Sequence, residues 1–192
     1  MAPPMVLDIV LLHYPVLNKQ NKVIGSAVTN LDIHDIARVA RTFGVRRYYI
    51  ATPYEDQRRF IGDIVAHWRT SVGKNTHSSR GEALGRVCVV EDLEHAVADA
   101  TARHGKTPFV VATSATSQSN EISYTALLSR LAGKAEPMLV VFGTAYGLAP
   151  DVIFSADGSL PPIAGIDGYN HLSVRSAVSI ILDRLLGSGN SA

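Results

Sequence analysis

The stretch Leu139–Ile153, "LVVFGTAYGLAPDVI", decides how the chain is read. It starts as an apolar, β-rich run, passes through Phe142-Gly143-Thr144-Ala145-Tyr146-Gly147, and returns to apolar residues. A plain turn needs one glycine. Two of them around a hydroxyl and an aromatic ring point to backbone amides left open for an approaching group.

Outward from this stretch, strand-like and helix-like patterns alternate. "MVLDIVLL" (5–12), "VRRYYIA" (45–51), "RVCVV" (86–90), "PFVVATS" (108–114) and "PMLVVFG" (137–143) read as strands. Helical spacing predicts a helix over 32–44, with Asp32 as N-cap, Ile33, Ile36, Ala37 and Ala40 as its apolar stripe, and Gly44 at its end. A second helix over 54–71 carries Phe60, Ile61, Ile64, Val65 and Trp68, the last read as core packing. Further helices are predicted over 91–105, 123–131 and 172–186, and residues 72–85 read as a loop rich in Gly, Ser and basic residues. This alternation predicts an α/β fold with a mainly parallel sheet flanked by helices, one domain over 1–187, and a disordered tail at 188–192. In such sheets ligands bind at the carboxyl ends of the strands. Three of those ends are chemically marked: Thr113-Ser114, Gly143-Thr144 and the loop 156–171.

Composition narrows the class. The chain has 192 residues, 46% hydrophobic and 18% charged, with no apolar run of bilayer-spanning length and no basic-then-apolar leader pattern at its start. The single cysteine, Cys88, rules out an internal disulfide and fits a reducing cytoplasm, with packing rather than reactivity as its role. The net charge of +1 hides an asymmetry, because residues 1–86 hold twelve Lys/Arg against seven Asp/Glu and residues 87–192 hold six against ten. A basic half suits a polyanion, since neutralised phosphates release counterions.

Several chemistries find no footing. No Gly-x-Gly-x-x-Gly opens a helix after the first strand, and there is no P-loop. The seven histidines are dispersed, without ligand spacing or cysteine partners, so no metal is expected. Asp151, Asp157 and Asp167 each sit beside Gly, Ser or Pro, where turns favour aspartate. "GTAYG" offers no serine nucleophile. What remains is a site of main-chain amides and carbonyls between apolar walls, suited to a neutral heterocycle such as adenine. A doubly wound nucleotide-binding oxidoreductase or hydrolase stays open as an alternative at this point.

The motifs in combination carry more. "DIHDIARVARTFGV" (32–45) resembles the first motif of the SPOUT RNA methyltransferases, "LVVFGTAYGL" (139–148) their second, and "PPIAGIDGYNHLSVRSAVSIIL" (161–182) their third. The chain is most similar to a smaller SPOUT group found alone or as a C-terminal extension of the tRNA guanine methyltransferase. The resemblance implies an S-adenosylmethionine site at Thr113, Ser114, Phe142, Gly143, Thr144, Gly147, Leu148, Ile163, Gly165, Tyr169, Asn170, Leu172, Ser173 and Val174. It also implies a C-terminal trefoil knot, a homodimer packed through the C-terminal helix, and an RNA substrate, tRNA or rRNA. A module that binds RNA or cofactor without transferring methyl is the reading nearest to it.

Arg38 matches the first-motif arginine and shares a helix face with His34 and Arg41. It is the leading catalytic candidate. Asp32 stands where the ribose-methylating branch carries Asn, and His34 replaces its Gly, which leaves ribose and base methylation both open. Asp32 and Asp167 are the carboxylates available for a base acceptor. His34, Arg41, Arg58, Arg59, Lys74 and Arg80 are the candidates for contacting RNA.

Overall fold

A computed structural model describes residues 6–70, 79–134 and 136–187. Strand β1 (Leu7–Leu12) is buried along its whole length inside a six-stranded sheet. Its side chains alternate, so Leu7, Ile9 and Leu11 enter one apolar core while Val10 and Leu12 enter another on the opposite face. The chain continues through a short antiparallel ribbon, β2 (Val16–Leu17) and β3 (Val23–Ile24), then α1 (Asn30–Thr42), β4 (Tyr48–Ala51), α2 (Glu55–Thr70), α3 (Ser79–Leu84) and β5 (Val87–Val90). It proceeds through α4 (Leu93–His104), β6 (Phe109–Ala112), α5 (Tyr124–Lys134), β7 (Met138–Gly143), α6 (Pro150–Ser155), β8 (Gly158–Ser159) and α7 (Val174–Leu186).

The order across the sheet is β5-β4-β1-β7-β6-β8, with every neighbouring pair parallel. The chain builds outward from β1 to β5, crosses over, and fills the other side with β6, β7 and β8. Leu12 therefore pairs with Gly143, and Ala112 with Val141, which sets the carboxyl ends of β1, β7 and β6 side by side. Residues of α1, α2, α3, α5 and α7 cover one face and those of α4 and α6 the other. Arg103 and His104 of α4 reach the buried Asp8 carboxylate at 3.4 and 2.7 Å, tying that helix to β1. Among the described residues, no helix is long and apolar enough to cross a membrane.

The predicted stripe of α1 is buried as expected, but its cap is Thr29 rather than Asp32. Thr29 Oγ1 accepts the Asp32 amide at 3.1 Å and donates to the Asp32 carboxylate at 2.5 Å, so Asp32 braces the capping hydroxyl from inside the first turn. Part of the predicted loop 72–85 is helix α3; Lys74 and the other residues of 71–78 lie outside the described residues, as does the tail 188–192. The ribbon, α6 and β8 were not anticipated, because two-residue strands and a six-residue helix are too short to show a period. Cys88 is partly buried in β5, and that burial raises its thiol above the ordinary range.

Candidate functional site

The site is built where β6, β7 and the segment after β8 end. The Thr113 amide and hydroxyl both donate to the Val141 carbonyl, at 3.0 and 2.9 Å, which locks the end of β6 to β7. Ser114 Oγ accepts from the Thr116 amide and from Gln118 Nε2, each at 3.1 Å, folding the next residues into a turn. Phe142 and Leu148 are 2% and 3% exposed, with their side chains in the two cores. Thr144 Oγ1 donates to the Leu12 carbonyl at 3.1 Å and lies 2.5 Å from Ser26 Oγ. These side chains face inward. Outward the stretch offers main chain and the 63% exposed Tyr146 side chain.

Its glycines explain themselves here. A Cβ on Gly143 would lie 2.7 Å from the Leu148 nitrogen and 2.9 Å from the Gly147 carbonyl carbon, so only glycine lets the chain double back so tightly. Gly147 has φ +108°, outside the range of ordinary side chains. The unanticipated ribbon clamps this turn from outside. The Tyr146 amide donates to the Leu17 carbonyl at 3.0 Å, and the Leu17 amide to the Gly147 carbonyl at 2.9 Å.

The third loop starts where the Leu160 amide donates to the Ala112 carbonyl at 2.9 Å, and it is drawn to the first by Asn170 Nδ2 donating to the Ala115 carbonyl at 2.8 Å. Ser173 ends the loop by capping α7, its hydroxyl accepting the Ser176 amide, and Val174 is the first helical residue. A Cβ on Gly165 would sit 1.6 Å from the Tyr169 carbonyl oxygen. Apart from the 3-10 turn Ile166–Gly168 and the Tyr169 amide that closes it, residues 161–172 make no backbone–backbone hydrogen bond among the described residues. Ile163 packs against the core, while Tyr169 and Leu172 are exposed. An uncommitted run of amides and carbonyls beside the ends of β6 and β7 fits an adenosyl group, whose ring nitrogens and hydroxyls require such partners.

Two carboxylates were candidates for proton transfer. Asp32 is buried and committed, bonded to Thr29 and ion-paired to Arg175 of α7 at 2.6 Å. Asp167 is exposed in the third loop, with φ +54°. Arg38 is exposed, and its guanidinium makes no hydrogen bond or ion pair among the described residues; Asp35, one turn before it, lies 3.5 Å from Arg175. Arg38, His34 and Arg80 line a groove of about 660 Å³ between α1, α2 and α3. The remaining cations are engaged elsewhere. Arg41 bonds Glu82 at 2.6 Å, Arg59 bonds Asp56 at 2.6 Å, and Arg58 donates to the Thr52 carbonyl at 3.0 Å and lies 3.4 Å from Glu91.

Sequence reading missed the support beneath the site. His13, directly after β1, is fully buried, with Nδ1 3.0 Å from Ser26 Oγ. Ser26 in turn meets Thr144, so β1, the ribbon's far end and the β7 turn share one polar chain. Burial pushes the His13 imidazole down to about 4 despite the opposing pull of Asp32. A lone histidine in "LLHYP" carries no periodic pattern that would announce this. Arg175 was likewise read only as part of a helix.

A parallel sheet with marked strand ends, a glycine-clamped turn and a main-chain-lined third loop define the class: the fold is that of the SPOUT methyltransferases. Solved structures share it at low identity. A probable methyltransferase from Bordetella pertussis matches with TM-score 0.62 and 15% identity over 93% of each chain. The SpoU methyltransferase AviRb from Streptomyces viridochromogenes, solved with AdoMet, matches with TM-score 0.59 and 18% identity over 98% of this chain and 59% of that one. The family model described as "SAM-dependent RNA methyltransferase" matches residues 6–187, and the chain belongs to that family. A tRNA (guanine-N(1)-)-methyltransferase from Oleidesulfovibrio alaskensis is 48% identical over 92% of this chain, and one from Nitratidesulfovibrio vulgaris 45% over the same share. This chain spans 41% of the length of each. An uncharacterized protein from Aquifex aeolicus is 38% identical over 92% of this chain and 86% of its own length.

Proposed function

We propose that this protein methylates tRNA with S-adenosylmethionine as donor, using the three loop ends as the cofactor site and Arg38 as the catalytic residue. The observation that carries the reading is the third loop, with its open main chain tied by Asn170 to the end of β6. The choice of tRNA draws on the printed names of the relatives from Oleidesulfovibrio and Nitratidesulfovibrio. Bound S-adenosylmethionine supplies a methyl group on a positively charged sulfonium.

The protein's own residues then have two tasks. The glycine-clamped turn and the third loop hold the adenosyl part so that acceptor, methyl and sulfur can align, which is the main requirement of a direct displacement. The acceptor must also lose a proton. A free guanidinium at Arg38 holds the adjoining phosphate and favours the deprotonated form of a ribose hydroxyl, whose proton passes to water, whereas a base acceptor would turn to Asp167, the less committed of the two carboxylates, for its proton. The reading includes a knotted third loop, a cytoplasmic setting, and a homodimer packed through α7, whose entry carries the exposed Ile166, Tyr169 and Leu172.

The test is incubation with radiolabelled S-adenosylmethionine and unmodified tRNA or rRNA, followed by mass spectrometry of nucleosides. Label in one tRNA nucleoside is expected, and its structure identifies ribose or base. Cofactor binding with no label in either RNA would leave the non-catalytic module. Arg38→Ala is expected to lower the rate at least about 100-fold with unchanged affinity for S-adenosylhomocysteine, the range for loss of a group that assists proton transfer. Full activity in that variant would remove Arg38 from the mechanism.

A further inference from the structure

The groove between α1, α2 and α3 is separate in sequence from every loop of the proposed cofactor site. Three observations give it a chemistry. Arg38 lines it, exposed, and its guanidinium makes no hydrogen bond or ion pair among the described residues. The Arg80 guanidinium lies 4.6 Å from the centre of the Trp68 ring, a stack that holds the cation in place before any ligand arrives. His34 lines the same groove, its ring edge-on to Trp68 at 5.7 Å and its Nδ1 buried without a partner among the described residues. Burial and the nearby Arg80 and Arg38 hold the His34 imidazole below its ordinary value, despite the carboxylate of Asp35. About two turns before Trp68 on α2, Phe60 is 43% exposed on the same groove, an aromatic face open to water.

We propose that this groove binds a nucleotide of single-stranded RNA, its phosphate between Arg38 and Arg80 and its base on Phe60. The proposal rests on the RNA methyltransferase reading and adds to it the place where the RNA strand is held. Arg38 and Arg80 offer two cations to a phosphodiester, set against the carboxylates of Asp35 and Asp63 on the same lining, and a planar cation already stacked on an indole loses little freedom on binding one. An exposed aromatic next to such cations is how proteins grip single strands, because every base offers a face for stacking. A free phosphate shares only the first half of this chemistry.

Trp68 is the only tryptophan in the chain, so its emission reports on the groove alone. Titration of the dimeric or monomeric protein, as purified, with a mixed-sequence single-stranded oligoribonucleotide and with unmodified tRNA is expected to change that emission saturably. Arg80→Ala and Phe60→Ala are each expected to weaken RNA binding about tenfold at moderate salt, the scale of one phosphate contact or one stacked base. Affinity for S-adenosylhomocysteine should not move in either variant. Phe60 and Arg80 are surface side chains, so both variants should fold, which circular dichroism checks. RNA binding or methylation that proceeds with silent Trp68 emission and unaffected variants would overturn the groove while leaving the methyltransferase reading intact. No RNA binding and no methylation with any RNA would sink both. An equal response to inorganic phosphate alone would reduce the groove to a simple anion site. Emission that changes on dilution of the protein by itself would assign the groove to a second copy of the chain, also against the proposal.

Discussion

His13 has no access to water, and its Nε2 has no partner among the described residues. The fold therefore holds it neutral, with its imidazole down at about 4 against an ordinary 6.5. Because the folded value is the lower one, this contribution to stability is complete above about pH 6.5 and is lost as pH falls toward 4; the shift corresponds to about 3 kcal/mol. A His13→Gln variant should flatten the decline of the melting temperature over that window, and NMR titration of the ring should find a midpoint near the lower value. Gly143 gives a second prediction. In Gly143→Ala the new methyl meets main chain at 2.7 Å, and main chain cannot swing aside as a side chain can. The turn must open, with a stability loss of about 1–3 kcal/mol. Calorimetric titration with S-adenosylhomocysteine should show at least about a tenfold weaker affinity, or about 1.4 kcal/mol. Unchanged affinity would place the cofactor away from this turn.

At the scale of elements, the Asp32–Arg175 pair joins the first turn of α1 to the first turn of α7. The two helices are far apart in sequence, and α7 follows directly from the third loop. Removing the cation in Arg175→Ala leaves a carboxylate that is 8% exposed without its charge partner. Since Arg175 itself is about one-third exposed, the expected cost is about 2–3 kcal/mol, below the full range for a wholly buried pair. Urea unfolding measures it, and Asp32→Asn in the same background should recover part of the loss. The long periodic elements were legible from sequence because burial of a stripe repeats with the helical or strand period: α1, α2, α4 and the main strands lie within a few residues of their predicted places. The ribbon was not, because its two-residue strands exist only to hold the Tyr146–Gly147 turn. The N-cap of α1 was misplaced by three residues, since either residue type can start a helix and Thr29 and Asp32 are bonded to each other in its first turn.

For the whole molecule, the crossover from β5 to β6 brings the ends of β1, β7 and β6 together and leaves the third loop to close over them. Ile166, Tyr169 and Leu172 are exposed on that loop, where the proposed homodimer would cover them. Sedimentation equilibrium should give twice the chain mass, and Leu172→Glu should shift the population toward monomer while leaving the isolated fold intact. A monomer at micromolar concentration would remove the dimer. The charge asymmetry along the sequence translated only in part. Arg41, Arg58 and Arg59 belong to ion pairs, while Arg38 and Arg80 converge on one groove.

Sequence alone was enough for the α/β class, the main strands, and the glycines of the β7 turn, because period and backbone freedom are local properties written residue by residue. Tertiary structure alone decided which charges remain free. It buried Asp32 against Arg175, linked His13 through Ser26 to Thr144, paired Arg41, Arg58 and Arg59 with carboxylates, and left Arg38 open on the groove that the stacked Arg80 also lines. Whether a side chain is available for chemistry depends on partners from distant parts of the chain, and only the folded arrangement of those parts determines who they are.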